Sequence, residues 1–116
     1  MTNNTVTLVL VGDTNLQNRS DPAAAFEHVL PRLKSADALF GHLEGPLTTP
    51  SSDPATPDIP HKNGWRHSHP SMVRGLQAAG FAAMCCASNV TYGRQAVLDT
   101  LATLVNVVRD APYSEV

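Results

Sequence analysis

The chain has 116 residues, 42% of them apolar and 16% charged, with a net charge of −2. That length allows one domain with a modest core. The lack of a basic run excludes the electrostatic footprint of a nucleic-acid binder, and no apolar stretch reaches the roughly 18 to 20 residues that span a membrane.

The opening Met1-Thr2-Asn3-Asn4-Thr5 carries no basic residue, and the apolar run behind it stops at Gly12-Asp13. It reads as a strand, not a secretory signal, which makes the cytoplasm the default compartment, with association at the cell envelope left open. Val6 to Val11 is apolar and rich in β-branched residues, as in a parallel strand covered on both faces. Asp21-Pro22 supplies a cap and a proline for a helix start. Phe26, Val29, Leu30 and Leu33 extend the helical spacing to about residue 35, with Pro31 kinking or shortening it.

Ala38 to Leu43 reads as a second strand ending at Glu44-Gly45-Pro46. Residues 46–60 hold five of the nine prolines, so they read as an extended surface loop. His61 to His69 continues it with a basic and aromatic composition. Pro70 opens a short helix through Met72, Val73, Leu76 and Ala79, and Gly80 closes it. Phe81 to Ala87 makes a third strand. Adjacent Cys85 and Cys86 point to opposite faces of that strand, so they read as small buried reduced thiols and not as a disulfide. Tyr92-Gly93 turns into a last helix striped with Val97, Leu98, Leu101, Leu104, Val105 and Val108. The order β-α-β-loop-α-β-α argues for an α/β fold: a parallel sheet with flanking helices and right-handed crossovers.

Polar residues mark each strand's carboxyl end, where open α/β sheets place their sites. Asp13, His42, Glu44 and Asn89 therefore share one rim. Two carboxylates, an imidazole and an amide oxygen make a ligand set for Mn²⁺, Mg²⁺ or Zn²⁺. The alternative is structural: Asp13 and Asn89 cap turns, and His42 is a hydrogen-bonded partner. Lys62, Arg66, His67 and His69 surround Trp65 and form a substrate-contact candidate for an anionic small molecule or polymer. The His67-x-His69 pair as a metal ligand, or a plain solvated loop, are the other readings.

Three segments carry a family resemblance. Thr7-Leu8-Val9-Leu10-Val11-Gly12-Asp13 resembles the opening Gly-Asp strand of the poly-γ-glutamate capsule-synthesis (CapA) family. Ala36 to Thr48 resembles its "aDl-fgNlEgplt" segment. Leu76 to Phe81, Ala87 to Gly93 and Leu98 to Leu101 resemble its "Lk-aGfd…aNNH-lDyG…l-dTl" segment. The resemblance implies a calcineurin-like metallophosphoesterase domain of four αββα layers, of which residues 1–116 form a single, incomplete, amino-terminal portion. It implies that Asp13 is a first metal ligand, that Glu44 and Asn89 line the same site, and that His42 acts as ligand or proton carrier. Later histidines in the family's second half would complete the site.

If catalytic, the domain would hydrolyse a phosphate ester with metal assistance. Three departures stand out: His42 replaces the asparagine of "NlE", Ser88 an asparagine of "NNH", and Val90 its histidine. A valine neither ligates metal nor transfers protons. These departures also fit a binding or scaffold module that keeps the fold without the chemistry, or a remnant. The open edges of so small a sheet call for another chain to cover them.

Overall fold

A computed structural model of the chain describes residues 4–49, 64–90 and 94–110, the last five by backbone alone. Three strands, β1 (Leu8–Thr14), β2 (Ala38–Leu43) and β3 (Ala83–Cys85), form a parallel sheet in the order β1-β2-β3. Helices α1 (Leu30–Leu33), α2 (Val73–Ala79) and α3 (Arg94–Asp110) accompany them, with a 3-10 turn at Pro70–Met72 leading into α2. This is the α/β architecture expected of part of a metallophosphoesterase-like domain.

The register of β1 on β2 is pinned at its start by Asp37. Its carboxylate accepts the Thr7 N–H at 2.7 Å, while its own N–H donates to the Thr7 carbonyl at 2.9 Å. Leu8, Val9 and Leu10 then pair with Ala38, Leu39 and Phe40, but the next pair is Asp13 with His42. One extra residue on β1 makes a bulge between Leu10 and Asp13, and a bulge reverses the facing of everything beyond it. Without it Gly12 would stand beside His42. With it, Asp13 does.

The strands run in one direction across the sheet. Successive right-handed crossovers in the same direction place their helices on one face. That face is the core. Leu16, Leu43, Leu47, Met72, Val73 and Leu76 form its main cluster, and Leu33, Leu39 and Ala79 a second beside it. Phe26 and Phe81 meet edge to face at 5.8 Å between the two. Among the described residues the opposite face is bare: Leu8 and Leu10 are 55% and 70% exposed. The double coverage expected of β1 is thus corrected, since consecutive strand order leaves no helix for the second face.

Three further expectations change. The helix predicted from residue 22 to 35 shrinks to α1, preceded by turns, because Pro31 fits only a helix's first turn and here occupies it. The described part of the α3 apolar stripe is turned outward: Val97, Leu98, Leu101 and Val105 are exposed, Ala96 and Thr100 are buried, and Leu104 alone among these described stripe residues packs on the core. The proline-rich segment begins in the core, with Pro46, Leu47 and Thr48 all buried. Residues 50–60 of it lie outside the described residues, as do Tyr92 and Gly93. The α2 reading holds, down to Gly80 at φ 86° as its left-handed stop.

Candidate functional site at the strand ends

The rim assembles where β1, β2 and β3 end. The bulge brings the Asp13 carboxylate to His42, whose Nδ1 lies 2.6 Å from Asp13 Oδ1. The other ring nitrogen, Nε2, lies 3.0 Å from the Ala87 carbonyl oxygen just past β3. Both partners are acceptors, so the imidazolium form, with a hydrogen on each nitrogen, is the one that makes both bonds at once. The pKa of the ring is raised above the ordinary histidine value, first by the hydrogen bond to Asp13, against an opposing effect of burial, and further by the Ala87 carbonyl and the negative charges of Asp13 and Glu44. One side chain of β2 thereby ties the carboxyl ends of all three strands.

Glu44 follows directly. Its N–H donates to the Thr14 carbonyl at 3.1 Å, and its Oε2 lies 3.4 Å from the Asn15 Nδ2. Asn15 Oδ1 in turn accepts the Gln17 N–H at 2.9 Å, an Asx turn that shapes the chain leaving β1. Asn89 sits exposed in the turn after β3, while Ser88 Oγ accepts the Val90 N–H at 3.2 Å. Val90 is completely buried beside Gly45. The place where the resemblance has a histidine is here a core position, occupied by a core residue.

A divalent ion needs free lone pairs, and both His42 ring nitrogens and Asp13 Oδ1 are already engaged with each other or with the Ala87 carbonyl. Among the described residues, no group of three or more His, Cys, Asp or Glu side chains could hold a metal ion. The arrangement present does not fit the metal that the resemblance implies.

The basic segment is docked against the same end of the molecule. The Arg66 N–H donates to Gln17 Oε1 at 2.8 Å. Ser68 bridges to Leu47: the Thr48 N–H donates to the Ser68 carbonyl and the Ser68 N–H to the Pro46 carbonyl, both at 3.0 Å. His67 is 7% exposed, and burial lowers its pKa. Its ring is part of the packing, out of reach of a dissolved substrate. His69 Nδ1 accepts the Ser71 N–H at 3.2 Å as the cap of the 3-10 turn. Lys62 lies outside the described residues.

Several contributors were not legible in the residues alone. Arg19 is exposed and lines an open groove of about 300 Å³ with Asp13, Asn15, Phe26 and Val29. Cys85, expected to be buried, is exposed as the cross-strand neighbour of His42 on the bare face; Cys86 is half-buried, its thiol pKa raised by burial and by Cys85. A latch closes the rim from behind. Thr100 Oγ1 accepts the Leu47 N–H at 2.8 Å and donates to the Ala96 carbonyl at 2.7 Å, and Thr48 Oγ1 donates to Asp99 Oδ2 at 2.9 Å. The two halves of the latch belong to two segments singled out in the sequence, so that part of the pattern is explained by packing.

The three-stranded parallel sheet, with acidic and amide side chains at its strand ends, is consistent with part of a metallophosphoesterase-like domain. More particularly, the chain belongs to the bacterial capsule synthesis protein family PGA_cap, whose model matches residues 7–107. Membership associates it with capsule synthesis. No curated protein and no solved structure matches it. Among the described residues no helix is long and apolar enough to cross a membrane.

Proposed function

We propose that this chain serves capsule synthesis as a metal-independent module that binds an anionic capsular polymer, poly-γ-glutamate being the one its resemblance names. The observation that carries this reading is the double engagement of His42, with Asp13 Oδ1 and with the Ala87 carbonyl. It engages the carboxylate oxygen that would otherwise be open to a metal. Arg19 in the groove beside Asp13, and Arg66 on the segment docked at Gln17, supply positive charge at the same end. His69 belongs to the same segment, and Lys62, outside the described residues, precedes it in the sequence. A γ-linked glutamate chain presents one carboxylate per residue, which suits several separated cations and charge-assisted hydrogen bonds.

The competing reading is a phosphoesterase-like hydrolase using Mn²⁺, Mg²⁺ or Zn²⁺ at Asp13, Glu44 and Asn89, with His42 carrying a proton. The 63% exposure of the Asp13 side chain at the rim favours it; the state of His42 and the burial of Val90 count against it. Fluorescence anisotropy with a labelled oligo-γ-glutamate, in EDTA, separates the two. Binding that weakens with salt and on Arg19→Ala or Arg66→Ala is the expected result. No binding in EDTA, together with Mn²⁺-dependent turnover of a phosphodiester, would overturn the proposal.

A further inference from the structure

We infer that His42 is a built-in brace, a positioning residue that ties the strand ends together at Asp13 as a bound divalent ion would. A metal at a strand-end rim cross-links the elements that carry its ligands. His42 makes that cross-link by its own geometry. It reaches Asp13 on β1 at 2.6 Å and the chain beyond β3 at 3.0 Å, from the strand between them. The β1 bulge lies just before Asp13 and sets Asp13, instead of Gly12, opposite His42.

The neighbours agree with such a role. Glu44 is turned toward Asn15, on the chain leaving β1, and Val90 fills a core position. Cys85, the cross-strand partner of His42 on the third strand, is exposed and free. A metal ion taking Asp13 Oδ1 would have to displace the His42 Nδ1 from it. That oxygen is therefore closed to divalent cations while the brace is made. This deepens the metal-independent reading above but is tested without any polymer, so either can fail alone.

The test uses the full chain with Mn²⁺ alone as probe. Chemical unfolding of Asp13→Asn, His42→Gln and the double variant forms a thermodynamic cycle. Each single variant is expected to lower the folding equilibrium constant about three- to tenfold, as for a partly exposed charged hydrogen bond. The double variant should lose no more than the worse single one. Additive losses would overturn the brace. Independently of any variant, proton NMR of the wild type follows the His42 ring as Mn²⁺ is added in EDTA-free buffer. Ring signals that stay sharp at one equivalent of Mn²⁺ support the inference; selective paramagnetic broadening of His42 at that ratio would overturn it.

Discussion

Thr100→Val removes one oxygen from the latch and leaves the side chain's shape nearly intact. Thr100 is 4% exposed and Leu47 fully buried, so water cannot replace the hydroxyl that accepts the Leu47 N–H at 2.8 Å. An orphaned buried N–H costs about 1–3 kcal/mol. The Ala96 carbonyl loses only a second donor, since it already lies within the helical ladder of α3, and the new methyl adds slight apolar burial. The net expectation is a loss of about 2 kcal/mol, or about 8 °C in melting temperature at roughly 4 °C per kcal/mol for a domain of this size. Urea unfolding followed by Trp65 fluorescence measures it, with Thr100→Ser as the control. Serine keeps the hydroxyl and gives up one methyl, a loss of about 0.8 kcal/mol at most. If valine is within about 0.5 kcal/mol of wild type, or serine is as damaging as valine, the hydrogen bond is not what holds α3 to Leu47.

Stability should pass through a maximum near pH 6.5, the unfolded-state histidine value. The raised pKa of His42 contributes stability that is fully present below that pH and is lost as pH rises through its folded value; Asp13, Glu44 and Cys85 are the titratable groups around it. The lowered pKa of buried His67 acts oppositely, removing stability as pH falls below 6.5. His42→Gln should flatten the alkaline limb of a pH series of melts, and His67→Gln the acidic limb near neutrality. Gly41→Ala should destabilise by about 1–3 kcal/mol in the same urea assay, because its Cβ would lie 2.7 Å from the Phe81 ring, 3.0 Å from Val11 and 3.1 Å from Met84. A neutral or stabilising result there would mean that the sheet packs more loosely than these distances imply.

Much of this architecture was legible before any coordinates. β2, closed by Gly45-Pro46, and the Pro70–Gly80 helix, with a proline at its start and a glycine beyond its end, both fall where expected. The strand-end motifs also declared the family, because their order along the chain is a property of the sequence itself. What failed depended on partners. Apolar spacing identifies a helix but not which side meets the core, and α3 is oriented by Asp99 and Thr100, two polar residues that bind Leu47 and Thr48. The prolines from 46 onward suggested surface loop, yet Pro46 and Leu47 are core because the Ser68 bridge and that latch cover them.

The candidate site divides in the same way. That Asp13, His42 and Glu44 end neighbouring strands follows from strand order alone. That Asp13 faces His42 depends on a bulge with no residue signature, a one-residue shift at Gly12 that only pairing reveals. The commitment of Nε2 to the Ala87 carbonyl spans 45 residues and has no local signal at all. The resemblance points to a metal at this rim, and that single long-range bond is the strongest argument that this chain works without one.

The most direct measurement is titration calorimetry of the wild-type chain with oligo-γ-glutamate, run once in EDTA and once in Mn²⁺. Binding in EDTA, with an affinity that Mn²⁺ does not raise, is the expected result. Binding that appears only when Mn²⁺ is present would contradict it.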